Sequence, residues 1–390
     1  MNKDKAMLSF CIFASDFYMS VFTSLTNWDL GFQTRPFLIS GPCGAETHEQ
    51  VLKTAIQLKS KGVHLFRAGI WKPRTRPGSF EGMGEEALKW LQEVKQETGI
   101  PVTVEVASPT HIELALKYNV DVLWLGARTT VNPFLVQELA SSLKGVNIPV
   151  MIKNPVNPDL ALWIGAIERI SKAGIEKIAA IHRGFSSYEN STYRNKPNWE
   201  IPIELRRLLP GIPLICDPSH ICGNTFMQQY VAQFALDMQY DGLMIESHYK
   251  PAEALSDAKQ QFTPDELGDL ISSLVVRNAT TDDETALSKI EDMRDQIDEL
   301  DDQIVTLLAE RMRVARLIGE YKFHHHIAIL QPERWEEIIR TRTINGVDKK
   351  LTEEFILTLY TMIHKESIYQ QTQQMEAEKK SDTLQQEPNS

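Results

Sequence analysis

Four cysteines in 390 residues, at positions 11, 43, 216 and 222, are too few and too unevenly spaced for a disulfide framework. A reducing, cytoplasmic compartment is therefore expected. Positive charge is also short: 41 Lys and Arg against 52 Asp and Glu leave a formal net charge of −11. That balance argues against a general nucleic-acid surface, so no nucleic-acid partner is expected. Long hydrophobic runs are missing too, since nothing approaches the ~18 unbroken apolar residues of a membrane helix, and no membrane partner is expected. Residues 6–25 follow Lys3 and Lys5, but Asp16 breaks the run and no small-residue cleavage pattern is clear, so a loose extension is expected rather than a signal peptide. What is present is an ordinary globular composition, 42% apolar, with room for one large domain and a small second one.

Against the acidic background, Arg67, Lys72, Arg74 and Arg76 set four cations within ten residues. They leave an apolar run at 63–66 that reads as buried strand, and Pro73, Pro77 and Gly78 then forbid a helix. A rigid loop that displays guanidinium forks and an ammonium suits a phosphate or a carboxylate.

From Pro36 onward, strand-like runs at 37–40, 63–66, 102–106, 122–125, 150–153, 178–181, 214–216 and 243–246 alternate with amphipathic helical stretches. The runs are continuously apolar, as strands buried on both faces are. Eight such units predict an α/β fold, a (β/α)8 TIM barrel followed by a small all-α helical domain. The expected divisions are an N-terminal extension at 1–34, the barrel at 35–277, a polar linker at 278–286, the helical domain at 287–373 and a disordered tail at 374–390. With so little chain ahead of the barrel, no separate regulatory domain is expected there.

Polar residues gather at the strand ends, where a barrel of this kind carries its active site. Cys43, His220, Glu246 and Asp257 stand on different strand ends. A thiolate, an imidazole and two carboxylates suit a divalent ion of the Mn, Fe, Co or Zn class better than Mg. Arg67, Lys72, Arg74, Arg128, Lys153 and Arg183 exceed what one phosphate needs, which points to two anionic substrates.

In the second domain, Ile290, Met293, Ile297, Leu300, Ile304, Leu307, Val314 and Ile318 recur at spacings of three and four, predicting one long helix to about Lys322. Further helices are expected at 332–343 and 351–373. Arg311 interrupts the apolar stripe, and a charge there is costly unless it has a partner. Lys322 lies three turns on, on the same face, whereas Arg294 is about 25 Å back along the helix. One small ligand cannot touch both Arg294 and Arg311 of one straight helix, so a second chain would have to supply Arg294. Ser367 and Gln371, at i and i+4, add neutral hydrogen bonds. Cations without a nucleophile or base are what a pericyclic rearrangement of a dianion requires.

Gly41-Pro-Cys43, Arg67-x4-Lys72-Pro-Arg-Thr75, Gly126-Ala-Arg128, Lys153, Arg183-Gly184, Asp217-Pro-Ser-His220, Ile245-Glu-Ser-His248 and Ala254-Leu-Ser-Asp257 closely resemble the 3-deoxy-D-arabino-heptulosonate 7-phosphate (DAHP) synthases, best the type Iβ variety. The resemblance implies that Cys43, His220, Glu246 and Asp257 bind the catalytic divalent metal. It implies that Arg67, Lys72, Arg128, Lys153 and Arg183 hold phosphoenolpyruvate, and that Lys72, Pro73, Arg74 and Thr75 line the erythrose 4-phosphate site. Lys72 would be catalytic, donating a proton to the forming alkoxide. Gly44 and Ala68 depart from common residues without removing a functional group. A Schiff-base aldolase using Lys153 and the related 3-deoxy-D-manno-octulosonate 8-phosphate synthase are the competing readings.

Met293 to Arg311, Lys322, Arg334 and Ser367-x3-Gln371 similarly resemble the all-helical, AroQ-type chorismate mutases. By that resemblance Arg294 from a partner subunit, Arg311, Lys322, Arg334, Ser367 and Gln371 bind chorismate and prephenate, with Arg311, Lys322 and Gln371 catalytic. The chain would then be at least a dimer. Trp335 and Gln331 replace a glutamate and an aspartate common among relatives, so a chorismate or prephenate sensor is the competing reading. A feedback role for the helical domain is expected in either case.

Overall fold

A computed structural model describes residues 22–72, 78, 80–188 and 191–386. It divides into two compact units, Met1–Ala279 and Thr280–Ser390.

In the first unit the strands are β1 (Phe37–Gly41), β2 (Leu65–Arg67), β3 (Val102–Val106), β4 (Val122–Leu125), β5 (Val150–Lys153), β6 (Ile178–His182), β7 (Leu214–Cys216) and β8 (Gly242–Glu246). They pair in parallel in sequence order, and β8 closes on β1, with Phe37 opposite Gly242 and Gly41 opposite Glu246. The helices are α1 (His48–Leu58), α2 (Glu85–Thr98), α3 (Pro109–Lys117), α4 (Ala127–Thr130), α5 (Pro133–Ser142), α6 (Leu160–Lys172), α7 (Glu200–Leu208), α8 (Pro218–Cys222), α9 (Gln228–Asp237) and α10 (Pro264–Ser273). This is the expected (β/α)8 barrel.

Side chains alternate along each strand with period two, and both faces are apolar for different reasons. Leu38, Phe66, Val104, Leu123, Ile152, Ala180, Leu214 and Ile245 face outward and pack under the helices. Phe37, Ile39, Leu65, Val122, Trp124, Met151, Ala179, Ile181, Ile215 and Met244 fill the interior. Two residues beyond the interior set, toward the carboxyl ends, the same inward register reaches Arg67, Lys153, Arg183, Asp217 and Glu246. The barrel's packing thus dictates which polar residues converge.

One expectation changes at the start of the chain. Part of the extension is built into the barrel: Leu25, Trp28 and Phe32 are buried with the interior cluster, beside Phe37 at the amino-terminal end of β1. Phe32 meets the Phe37 ring edge-on at 5.1 Å. The apolar interior exposes its open end at that side, and these rings cover it.

The second unit consists of α11 (Glu284–His324), α12 (Pro332–Asp348) and α13 (Glu353–Gln386). Asp283 caps α11 by accepting from the Thr285 and Ala286 amides. Gly319 lets α13 approach closely, since a Cβ there would lie 2.9 Å from the Gln371 Cα. Helix α13 runs past residue 373, where the sequence pattern placed the start of a disordered tail; continued helical hydrogen bonding carries the polar Gln/Glu/Lys stretch to Gln386.

Candidate active sites

At the carboxyl ends of the strands, Cys43, Arg67, Gly69, Trp71, Lys72, Glu105, Arg128, Lys153, His220 and Asp257 line a cavity of ≈ 90 Å³. Ligand atoms of Cys43, Glu246 and Asp257 all lie within 4.8 Å of one another. The Cys43 Sγ is 3.5 Å from Asp257 Oδ2 and accepts from Lys72 Nζ at 2.8 Å. Gly69 makes this possible, because a Cβ there would fall 2.3 Å from the Cys43 carbonyl oxygen. His220, on α8, turns Nε2 to within 3.8 Å of Glu246 Oε1 while Nδ1 pairs with Asp217 at 2.9 Å. A carboxylate behind an imidazole is the arrangement that fixes a metal-binding histidine.

Two buried ion pairs organise the floor of the site. Arg67 Nη2 lies 3.1 Å from Glu246 Oε1, and Lys153 Nζ lies 2.8 Å from Asp217 Oδ2. Asp217 is also the N-cap of α8, accepting from the His220 amide. Its carboxyl sits well below the usual range: burial pushes it up, but His220, Lys153 and Arg67 outweigh burial. Glu246 is lowered in the same way, burial being opposed by His220, Arg67 and Lys72. Burial pushes the Cys43 thiol up to about 11, Glu246 adds to the rise, and Lys72 works against it. Burial also holds His220 below its ordinary value, against the pull of Asp217. A neutral imidazole is the form that ligates metal.

In this site Arg67 Nε and Nη1 are buried with no hydrogen-bond partner among the described residues. Orphaned donors in a buried site are costly unless a ligand satisfies them. The donor set and these orphans fit a divalent cation beside an anionic substrate.

Not every candidate converges. Arg183 is set back from the cavity, tied to Asn195 Oδ1 at 2.7 Å, and burial drives it down to about 10 despite Asp217. Pro73, Arg74, Thr75 and Arg76 lie outside the described residues. The sequence reading gave Asp217 only as part of the Asp-Pro-Ser-His motif and assigned Glu105 no role. It missed the support around them: Gln260 Nε2 donates to Glu246 Oε2 at 2.7 Å, and Trp124 Nε1 to Glu105 Oε2 at 3.1 Å. The period-two register was the available signal for Asp217; nothing local marks Gln260.

In the helical unit, Arg311, Lys322, Gln331, Arg334, Trp335, His364, Ser367 and Gln371 line a cavity of ≈ 610 Å³. Arg311 Nη1 donates to Ser367 Oγ, and Lys322 Nζ to the Ile329 carbonyl at 2.7 Å. Gln371 Oε1 is buried without a hydrogen-bond partner among the described residues. Burial lowers both Arg311 and Lys322. The Trp335 ring stacks on His364 at 4.1 Å. Glu333, which sequence reasoning passed over, also lines the cavity. Arg294 does not; it is exposed and pairs with Glu291 at 3.1 Å.

The first unit is therefore a parallel (β/α)8 barrel with a buried cation-and-anion site at its carboxyl face. Residues 22–280 match the model of the DAHP synthetase I family, and the chain belongs to that family. Residues 293–372 match chorismate mutase type II. A phospho-2-dehydro-3-deoxyheptonate aldolase of Thermotoga maritima is 31% identical over 57% of this chain, which spans 64% of that relative's length. A 2-dehydro-3-deoxyphosphooctonate aldolase of Stenotrophomonas maltophilia is 28% identical over 66% of this chain and 96% of its own. The crystal structure of the Thermotoga maritima DAHP synthase superposes with a TM-score of 0.56 at 29% identity, covering 63% of this chain and 70% of that one. Among the described residues, no helix is long and apolar enough to cross a membrane.

Proposed function

We propose that the barrel condenses phosphoenolpyruvate with erythrose 4-phosphate to DAHP and phosphate, and that the helical unit rearranges chorismate to prephenate. The observation that carries the first half is the pair of unpartnered, buried Arg67 N–H groups beside the Cys43, Glu246 and Asp257 cluster. Arg67, Lys72, Arg128, Lys153 and Arg183 hold phosphoenolpyruvate, and Lys72 with Pro73, Arg74 and Thr75 hold the aldose phosphate. Cys43, His220, Glu246 and Asp257 would hold a divalent ion of the Mn, Fe, Co or Zn class, which would supply Lewis acidity toward the aldehyde.

The methylene carbon of phosphoenolpyruvate bonds to the aldehyde carbon, and Lys72 gives a proton to the aldehyde oxygen. Water adds at C2, the C2–O bond to phosphate breaks, phosphate leaves with the electron pair, and C2 becomes a carbonyl. The buried cations meet the charge as it moves, in a site where few waters screen it. Product analysis with and without a chelator tests this. Expected are loss of activity in chelator, recovery with Mn²⁺ or Co²⁺, and no borohydride trapping; activity in chelator with a trapped Lys153 establishes the Schiff-base aldolase instead. The relatives carry both seven- and eight-carbon product names, so turnover of the five-carbon aldose phosphate in place of the four-carbon one overturns the substrate assignment. The Lys72-Pro-Arg-Thr75 loop favours the shorter sugar.

For the helical unit, Arg311, Lys322, Arg334, Ser367 and Gln371 in one cavity support binding of a dicarboxylate. No group there is needed as a nucleophile; fixed donors favour the reactive conformer and its polarised transition state. The apolar stripe is open: Ile297 is 56%, Ile304 53% and Leu307 69% exposed. A second copy of the helical unit covers that stripe and brings its Arg294 to this cavity. Binding of prephenate there also down-regulates the barrel. Truncation after Asn278 abolishes prephenate sensitivity on this reading, and a truncated barrel that stays sensitive refutes it.

A further inference from the structure

The loop between β6 and α7 carries Arg194 and Asn195, adjacent residues that hold groups on four different segments. Arg194 Nη1 donates to Asp257 Oδ1 at 2.9 Å and to Gln260 Oε1 at 2.8 Å. Gln260 in turn holds Glu246 Oε2 at 2.7 Å. Asn195 Nδ2 donates to the His220 carbonyl at 2.6 Å, and its Oδ1 accepts from Arg183 Nη1 at 2.7 Å. The two residues therefore reach, directly or through one amide, three members of the metal-binding set and one anion-binding arginine.

The backbone is built to admit them. Gly223, in the left-handed region at φ +69° and immediately after α8, would place a Cβ 2.7 Å from the Arg194 Cβ. Gly184, at φ +75°, would place one 2.6 Å from the Asn195 carbonyl oxygen. Each glycine combines a positive φ with a close approach that a side chain would block. Asn195 N also donates to the Ile221 carbonyl at 3.1 Å, fastening the loop to α8, which carries His220. Asp257 itself adopts φ +49°, an uncommon conformation for a non-glycine residue, which its surroundings must hold.

The Arg194–Asp257 pair is not there for stability. The Arg194 side chain is 47% exposed, and pairs so open to solvent contribute little. Nη1 of a planar, rigid guanidinium that donates to one carboxylate and one amide oxygen instead fixes the angle between them.

We propose that Arg194 and Asn195 are positioning residues for the barrel site: Arg194 sets Asp257 and, through Gln260, Glu246 in the geometry a divalent ion requires, and Asn195 couples His220 to Arg183. This rests on the metal-dependent reading above. Partners that orient ligands from behind are worth 10- to 100-fold in metal affinity. Asp257 and Glu246 come from separate segments, so only a residue bridging them can hold both at once.

The test is Co²⁺ titration of the full chain followed by calorimetry and by visible absorption, which reports ligand geometry without turnover. Arg194→Met and Arg194→Lys are each expected to bind Co²⁺ 10- to 100-fold more weakly, with altered d–d bands, while metal-free thermal unfolding stays near that of the unmodified chain. Lys keeps the charge but ends one bond short of the Nη1 position that makes both contacts, so R194K decides the matter even if R194M does not fold. Wild-type affinity and spectrum in R194K overturn the proposal while leaving the metal site intact. Failure of the unmodified chain to bind Co²⁺, with His220→Ala no different, overturns the metal reading and this proposal with it. Asn195→Ala should weaken phosphoenolpyruvate binding to the Co²⁺-loaded chain through the freed Arg183; unchanged binding removes Asn195 from the pair.

Discussion

Asp217→Asn isolates a charge at the centre of the barrel site. The substitution keeps the side chain's shape and an oxygen that still accepts from the His220 amide, so the α8 cap survives. What it removes is the negative partner of Lys153, whose Nζ lies 2.8 Å away with only 6% of its side chain exposed. The introduced amide has an N–H where Lys153 needs an acceptor. Breaking one side of a buried pair leaves the other charge uncompensated, a loss of about 3–5 kcal/mol. Because the Asp217 carboxyl lies well below its ordinary value, its contribution is fully present above the unfolded value of about 3.9 and disappears as pH falls through the folded one. The stability gap between wild type and D217N is therefore about 3–5 kcal/mol at pH 7 and narrows below about pH 4. Urea unfolding followed by tryptophan fluorescence measures it, because six of the seven tryptophans lie in the barrel unit. A gap under about 1 kcal/mol at pH 7, or one of constant size down to pH 3, refutes the assignment of Asp217 as an ionised partner of Lys153.

Gly69→Ala forces the chain away from the Cys43 carbonyl and from Lys72, so DAHP formation should fall on the order of 10²-fold, as misplacement by about 1 Å does; a wild-type rate contradicts the close approach. Arg311→Ala should lower kcat/KM for chorismate by roughly 10²- to 10³-fold, read as slower loss of chorismate absorbance. If the helical unit is a sensor, no turnover exists to lose, and only binding weakens. Ile304→Asp places a charge in the exposed apolar stripe. Sedimentation should then show a smaller species with no mutase activity, and an unchanged, active oligomer argues that another surface joins the copies.

The architecture was legible because continuously apolar runs and their regular spacing are local signals. Eight apolar runs without internal alternation have few solutions other than a barrel enclosed by helices, and the observed strands differ from the expected ones by a residue or two. Arg67, Lys153 and Glu246 were legible for a related reason, since they continue the inward register past the last apolar layer. The amino-terminal cover of the barrel was not. Leu25, Trp28 and Phe32 form no long periodic element, and their burial depends on an opening that exists only once all eight strands have closed.

By itself the sequence determined the two domains, the barrel, and the chemical character of both sites, because side-chain type and periodicity carry that information along the chain. Tertiary structure alone decided which groups hold which. Gln260 reaches Glu246, and Arg194 reaches Asp257 across 63 residues. Helix rise alone separated Arg294 from Arg311, but the packing of α12 and α13 is what encloses Arg311 with Lys322, Arg334 and Gln371 in one cavity. Hydrogen bonds and ion pairs act over a few ångströms, and closing the barrel is what reduces those sequence separations to such distances.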